Sequence, residues 1–170
     1  MRQKDLLGCV TAAEVILDKL LDVKSSPIAT ELREKEKLGG YLTIADRSGA
    51  PLLIALIGTP LWIDRDAFLA YSQEKARRLA ATKSHVRSYE SRDPKKKWYG
   101  GALRDDDFIV SFSGLPEGVD EIVSLLVLLL HSSFALPVYL EHMKDNPYVE
   151  KLGLEFLQDT TMAVIRAVAE

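Results

Sequence analysis

Apolar and charged residues alternate with a helical period near the start of the chain. Within residues 5–22, apolar side chains recur at spacings of three and four, with Asp, Lys and Glu between them. This pattern predicts an amphipathic helix over residues 5–22. The polar stretch that follows, residues 25–40, ends in two glycines and is typical of a connector with one charged helical turn at residues 30–38.

Four stretches of strand-like composition predict two β-hairpins. Two runs rich in Ile, Leu and Tyr, residues 41–46 and 51–58, flank an Arg-Ser-Gly-Ala turn. Gly49 of that turn can adopt the positive φ that a tight connection requires. A short strand at residues 99–103 and a longer one at residues 108–114 flank a turn made of one arginine and three aspartates.

Two further helices are predicted between and after these hairpins. Helical spacing runs over residues 66–82, and either Asp64 or Asp66 can cap this helix by accepting backbone N–H groups at its start. The most hydrophobic stretch, residues 122–138, is shorter than the ~20 residues that cross a bilayer. We therefore interpret residues 119–134 as a buried core helix and expect no membrane association.

The order of the predicted elements is helix, hairpin, helix, hairpin, helix and tail. Two hairpins separated by a helix build an antiparallel sheet flanked by helices, so the fold class predicted is α+β. At 170 residues, with 47% hydrophobic and 28% charged residues, the chain is expected to form a single domain, residues 1–170. Its core is expected at about residues 41–134, followed by an extra helical tail over residues 136–170.

Composition narrows the classes of partner and the compartment. A net charge of −3 argues against a general nucleic-acid-binding role, which needs an excess of Lys and Arg. Cys9 is the one cysteine, so an intrachain disulfide and cysteine-based zinc sites are excluded. The first residues lack the apolar stretch of a signal peptide, and we expect a cytoplasmic protein.

Basic residues concentrate in one segment, residues 74–97, which we call the basic block. It holds nine of the 22 Lys and Arg residues against three acids, a charge of +6, so the rest of the chain carries −9. Such asymmetry can focus a field on an anionic ligand. The alternative is a solvated helix face with an exposed basic loop that pairs with acidic patches of a neighbouring subunit.

Five residues in and beside the basic block are the candidate ligand-binding set. Lys75 and Arg78 lie about one helical turn apart, and arginine binds carboxylates and phosphates through its planar fork. Gly100 and Gly101 can bring backbone N–H groups close to a ligand, or they mark a bulge at a strand entry. Tyr99 can stack on a planar ligand, or it anchors a subunit contact.

Residues for catalysis or for metal binding do not emerge from the spacing. There is no H-x-x-x-H pair, no Ser-His-Asp arrangement and no EF-hand pattern, so we assign no catalytic and no metal-binding residue. Asp105 and its two acidic neighbours are interpreted as a hairpin turn. We expect His131 to be a core histidine with one satisfied nitrogen and His85 to be exposed in the basic block, where it is a candidate haem ligand.

Three stretches in this order resemble the haem-degrading (HbpS/GlcG-like) family. They are LTIADRSGAPLLI at residues 42–54, SQEKARRLAAT at residues 72–82 and FIVSFSGLPEGVDEIV at residues 108–123. The aromatic-Gly-Gly-Ala of residues 99–102 and WIDRDAF of residues 62–68 are similar to a poorly characterised cytosolic branch of that family. The resemblance implies a profilin-like fold, a cleft beside residues 99–102 and assembly into a homo-oligomer.

Three hypotheses of function follow. The first is a small-ligand-binding protein with a basic cleft for an anionic or planar ligand, with haem as one candidate. The second is an oligomeric structural or interaction protein without catalytic activity, whose subunit interface comes from residues 119–134 and the tail. The third is a haem-degrading enzyme, which only the resemblance supports, because no acid–base or nucleophile–base pair can be named.

Overall fold

The computed structural model describes residues 3–131 and 135–169. Its helices and strands follow the predicted order closely. In chain order they are α1 (Gln3–Leu21), α2 (Ala29–Glu34), β1 (Gly39–Asp46), β2 (Pro51–Gly58), α3 (Arg65–Ala81), β3 (Ala102–Arg104), β4 (Phe108–Ser113), α4 (Glu117–Leu128), α5 (Leu136–His142) and α6 (Pro147–Ala169). Short 3₁₀ helices occupy Trp62–Asp64, Ser88–Ser91 and Pro94–Lys96.

The four strands form one antiparallel sheet in the order β2-β1-β4-β3. The β1–β2 hairpin turns at Gly49, which has a φ of 84°, as the sequence predicts. The carboxylate of Asp46 supports this turn by accepting the N–H groups of Ser48 and Ala50. A sheet of two hairpins with packed helices confirms the predicted α+β class.

Alternating residues of the strands place a large core on one face of the sheet and a small one on the other. Leu42 and Ile44 of β1 face the large core, which also contains apolar residues of α1, α4 and α6. Ala45 of β1 faces the small core, where it meets Ala76 and Leu79 of α3. The sheet is therefore covered by α1 and α4 on one face and by α3 on the other.

Helix α4 is the central element of the large core. Every residue from Val119 to Leu128 is buried, which confirms the prediction of a buried core helix. The helix ends at Leu128, earlier than predicted, and residues 132–134 of the predicted span lie outside the described residues. Residues 119–128 are packed inside one chain and offer no surface to a second subunit, which is contrary to the interface predicted for this part of the helix.

The tail folds back onto the domain as α5 and α6. Gly153, with a φ of 75° and a ψ of 158°, interrupts α6 and divides it into two helical segments. Leu157 and Val164 are buried among residues of the large core, and α6 packs along α1. In the described part of the chain, no helix combines the length and the apolar character that a membrane crossing needs.

Two local predictions need correction. Asp64 occupies the N-cap position of α3, but its side chain makes no capping hydrogen bond, and Asp66 lies exposed in the first turn. Strand β3 begins at Ala102 rather than at Tyr99. The reason is Gly101, whose φ of 117° is outside the strand region, so the segment before Ala102 cannot continue the sheet.

Candidate functional site

Lys75, a predicted ligand-binding residue, is buried and bound to groups of the chain itself. Its side chain is only 2% exposed. The ammonium group donates to the Phe112 carbonyl oxygen at 2.9 Å and to Asp120 Oδ2 at 2.9 Å. Lys75 thus connects α3 to the first turn of α4, which lies on the opposite face of the sheet.

Arg78, one turn further along α3, uses its guanidinium group to bind the segment that follows the helix. It donates to the Glu74 carboxylate at 2.7 Å, to the Ser88 carbonyl oxygen at 2.6 Å and to Ser91 Oγ at 2.6 Å. A further N–H reaches the carbonyl oxygen of Tyr99. Because these bonds occupy the planar fork, Arg78 orders residues 88–99 against α3.

Tyr99, Gly100 and Gly101 complete a single cluster with Lys75 and Arg78. The Tyr99 ring meets a neighbouring tyrosine ring edge-on, and the Gly100 N–H donates to a glutamate carboxylate. A Cβ added at Gly101 would lie 2.6 Å from Lys75 Nζ. The structure therefore brings all five predicted residues together, and their contacts are with the protein's own groups. Their role as ligand-binding residues stays a prediction.

Three acids at the start of α4 neutralise a large part of the basic block. Asp120 pairs with Lys75 at 2.9 Å, and Glu121 pairs with Arg87 at 2.8 Å. Glu117 pairs with Arg92 at 2.9 Å. Half of the +6 charge that the sequence concentrates in residues 74–97 is thus balanced by acids of α4.

Arg87 is the centre of a second buried network that reaches the tail. Besides its pair with Glu121, it donates to Asp145 Oδ1 at 2.5 Å and to the carbonyl oxygen of His142. Asn146 donates to Glu121 Oε2 at 3.1 Å. The side chain of Arg87 is 5% exposed, so this part of the basic block is buried rather than a solvated loop.

Burial perturbs the carboxyl groups of both networks. It raises the pKa of Asp120 to about 6, although the Lys75 ammonium and the Leu115 N–H both oppose the rise. Burial likewise raises the pKa of Glu121 above its ordinary range, against the effect of Arg87. Each carboxylate is paired and hydrogen-bonded within the fold, so both raised pKa values result from burial in structural ion pairs.

A cavity of about 710 Å³ lies at the opposite end of the sheet, where the ends of α3 and of the two hairpins meet α5. Its lining comes from six separate parts of the chain. The lining residues are Arg47, Ser48, Ala80, Lys83, Val86, Arg104, Asp105, Asp106, Phe108, Ile109, Val138, Tyr139 and His142. None of the five predicted ligand-binding residues belongs to this cavity.

The floor of the cavity is apolar. Phe108, Ile109 and Tyr139 are at most 6% exposed, and Ala80 of α3 closes the side that faces the small core. Val138 lies at the mouth and is 47% exposed. Apolar atoms therefore dominate the deep part, while polar groups are confined to the rim.

Three basic side chains and two acidic ones form most of the polar rim. Arg104 donates to the carbonyl oxygens of Leu79 and Lys83, which holds its guanidinium group at the wall. Lys83 is exposed, and within the described residues its ammonium group forms no ion pair. Arg47 pairs with Asp107 at 3.1 Å at the surface.

The acidic turn at the rim is structured by its own carboxylate, as the sequence predicts. Asp105 Oδ1 accepts the N–H groups of Asp107 and Phe108 at 2.8 and 3.0 Å. In the described part of the chain, no group of three or more His, Cys, Asp or Glu residues could hold a metal ion. The turn thus shapes the cavity wall.

The histidines differ from their predicted environments. His131 is half-buried in the turn after α4, with its ring edge-on to Phe108 at 5.9 Å, and its Nε2 is buried without a hydrogen-bond partner among the described residues. His85 is half-buried rather than exposed, and within the described segments its buried Nδ1 likewise has no hydrogen-bond partner. His142 is exposed and lines the cavity.

The sequence contains no local signal for this cavity. Its basic residues come from three separate places, with Arg47 in the first hairpin turn, Lys83 after α3 and Arg104 at the end of β3, and its apolar floor combines β4 with α5. No protein-family model matches the chain, and no curated protein matches it. The resemblance to the HbpS/GlcG-like family therefore stays a prediction.

Proposed function

We propose that this protein binds a small amphipathic anion, with an apolar body and a carboxylate or similar head group, in the cavity between the hairpin ends and α5. The observation that carries the proposal is a cavity of about 710 Å³ with a buried apolar floor and a rim on which three basic side chains outnumber two acidic ones. Small-molecule sites have volumes of roughly 300–1,000 Å³ and apolar linings with few polar groups.

The charges of the rim favour an anionic head group. The ammonium group of Lys83 forms no ion pair with the described residues, and the described partners of Arg104 are neutral carbonyl oxygens that leave its positive charge uncompensated. The carboxylate of Asp105 is engaged by two backbone N–H groups of its own turn, which reduces its repulsion of an anion. We therefore place the head group beside Lys83 and the apolar body over Phe108.

Haem is the planar candidate that the resemblance suggests. A porphyrin joins an apolar ring system to two carboxylates, and the apolar floor and basic rim suit both parts. His142 lines the cavity, whereas His85 and His131 do not belong to its lining. Bound haem would supply an iron centre, and the chain's own residues would hold the ring and its carboxylates.

A cavity-filling variant tests the proposed location. Haemin is titrated into the protein by absorbance, and anilinonaphthalene sulfonate by fluorescence. Val138→Trp places a large ring at the mouth and is expected to weaken at least one of the probes by about 10-fold or more, a loss of about 1.4 kcal/mol. Met162→Trp introduces the same ring at an exposed position of α6 that lies outside the cavity, and it should bind like the wild type.

A charge-reversal variant tests the anionic head group. Lys83→Glu is expected to weaken the bound probe by about 3- to 10-fold, because it replaces one attraction at the rim by a repulsion. Lys95→Glu changes the net charge equally at an exposed position outside the cavity and serves as the control. If neither probe binds, or if binding is indifferent to both Val138→Trp and Lys83→Glu, the proposed function is wrong.

A further inference from the structure

The strand β2 forms an uncovered edge of the sheet. It pairs with β1 on one side, and within residues 3–131 and 135–169 no other segment pairs with its outer side. The strand has eight residues, no charged residue, and a proline only at its first position. A long uncharged edge of this kind offers unpaired backbone N–H and C=O groups to another strand.

The opposite edge of the sheet is protected. Strand β3 has three residues, and Leu103 forms a bridge with Arg87 on its outer side. The Arg104 N–H donates to the carbonyl oxygen of Val86 at 3.1 Å. The β3 edge of the sheet is thus covered by the chain itself, whereas the described residues leave the β2 edge open.

An apolar surface accompanies this open edge. Leu52, Ile54 and Leu56 point to the face of the sheet on which α3 packs, but α3 lies over β1, β4 and β3, so these three side chains are 38–46% exposed. Trp62 and Ile63, which follow the end of β2, are 79% and 88% exposed. We call these five side chains the β2 patch.

We propose that the β2 edge is a homodimer interface, in which two copies of this chain pair β2 with β2 in antiparallel orientation about a two-fold axis. The two four-stranded sheets then join into one sheet of eight strands. The unpaired backbone groups of β2 are satisfied by the second copy, and the β2 patches of both copies are covered together.

The chemistry of the edge identifies the occupant as a second copy. The absence of charge on Pro51–Gly58 means that a two-fold axis brings no like charges together, whereas a charged strand would repel itself. Antiparallel pairing also places the end of one β2 beside the start of the other. The apolar side chains of β2 that face away from the large core, Leu52, Ile54 and Leu56, then lie on the same face of the joined sheet in both copies, so the patch is continuous across the two-fold axis.

The area available is sufficient for a stable dimer. Trp62 alone, at 79% exposed, offers on the order of 150 Å² for burial. Four further apolar side chains and the backbone of an eight-residue strand add to this, which brings the contact to about 1,000 Å² in total, the small end of specific interfaces.

Sizing with light scattering and one substitution test the proposal. At about 100 µM, a pairing with a Kd of ~10 µM or tighter gives a mass near twice the 18.9 kDa of one chain. Ile54→Lys places a charge on the edge and is expected to shift the protein to the monomer, with an unchanged far-ultraviolet circular dichroism spectrum. Ile165→Lys makes the same change at a comparably exposed position of α6 and should leave the dimer intact.

Hydrogen exchange locates the interface independently of the variant. Amides of residues 51–58 in the wild type should exchange at least several-fold faster on dilution from 100 µM to a concentration at which light scattering shows the monomer, while those of β4 should not change. This result supports the proposal even if Ile54→Lys fails to fold. A wild-type monomer at 100 µM, a dimer that persists in folded Ile54→Lys, or exchange of β2 that is indifferent to dilution would overturn it.

Discussion

The buried pair of Lys75 and Asp120 provides the sharpest test of how the basic block is used. In the structure the Lys75 ammonium group is enclosed by the Asp120 carboxylate and the Phe112 carbonyl oxygen, each at 2.9 Å. Replacing Lys75 by Met keeps an unbranched apolar stem of similar length and removes the charge. The substitution therefore leaves the packing nearly intact and isolates the loss of the ammonium group.

The expected cost follows from the environment of the partner left behind. Both side chains are at most 4% exposed, and breaking a buried ion pair by removing one member costs about 3–5 kcal/mol. Asp120 keeps its bond from the Leu115 N–H, and with its pKa already raised to about 6 it can take up a proton and lose its charge. We therefore expect Lys75→Met to lower the free energy of unfolding by about 3 kcal/mol, near the lower end of that range.

Urea unfolding at pH 7, followed by circular dichroism and tryptophan fluorescence, measures this cost. Lys83→Met removes an exposed lysine of the same block and should change stability by about 0.5 kcal/mol or less. Adding Asp120→Asn to Lys75→Met should recover at least about 1 kcal/mol, because the uncompensated carboxylate is gone. The reasoning is refuted if Lys75→Met costs under about 1 kcal/mol and instead weakens haemin binding about 10-fold, since the ammonium group would then face a ligand.

Three further outcomes follow from single positions. The pKa of Asp120 in the folded state, about 6, lies above its ordinary value of 3.8. Its contribution to stability is therefore full below about pH 4 and is lost as the pH rises through 6. Urea unfolding from pH 4 to 7 should show the stability of the wild type falling relative to that of Asp120→Asn. Cys9 is fully buried, and burial raises its pKa to about 12. The thiol should therefore resist a disulfide reagent in the native protein and react within minutes in urea. A fast reaction of the native protein would contradict its burial. Gly101→Ala should destabilise the protein by about 2 kcal/mol more than Gly153→Ala in the same unfolding assay. Both positions have a positive φ, but only an alanine at position 101 would collide with its neighbours. Equal costs would contradict the packing at Gly101.

The elements of the fold could be predicted because each depends on a short stretch of chain. Apolar spacing of three and four indicated α1 and α3, and the Ser-Gly turn at Gly49 indicated the first hairpin. The burial of α4 followed from its uninterrupted apolar sequence, because a helix apolar on all sides has to be surrounded. The errors lie at boundaries such as the start of β3, where the φ of Gly101 could not be known beforehand.

The pairing of charges could not be predicted, because it depends on the register between distant elements. The basic block and the acids of α4 are separated by about 25–45 residues, and each set alone suggests a different role, an anion pocket for one and helix-dipole stabilisation for the other. Only the packing of α3 and α4 against the two faces of one sheet shows that Lys75 and Asp120 meet. The clustering of Lys75, Arg78, Tyr99, Gly100 and Gly101 was therefore foreseen, but their internal partners were not.

By itself the sequence determined the kind and order of the elements, the class of the fold and the helix that would be its centre, since these depend on local periodicity and on total apolar content. The tertiary structure decided which charges are buried and paired, where a cavity opens and which edge of the sheet stays uncovered. The floor of the cavity joins Phe108 to Tyr139, and side chains of β2 stay exposed because α3 stops short of this strand. Such features arise from the relative placement of whole elements, and no stretch of the chain encodes them alone.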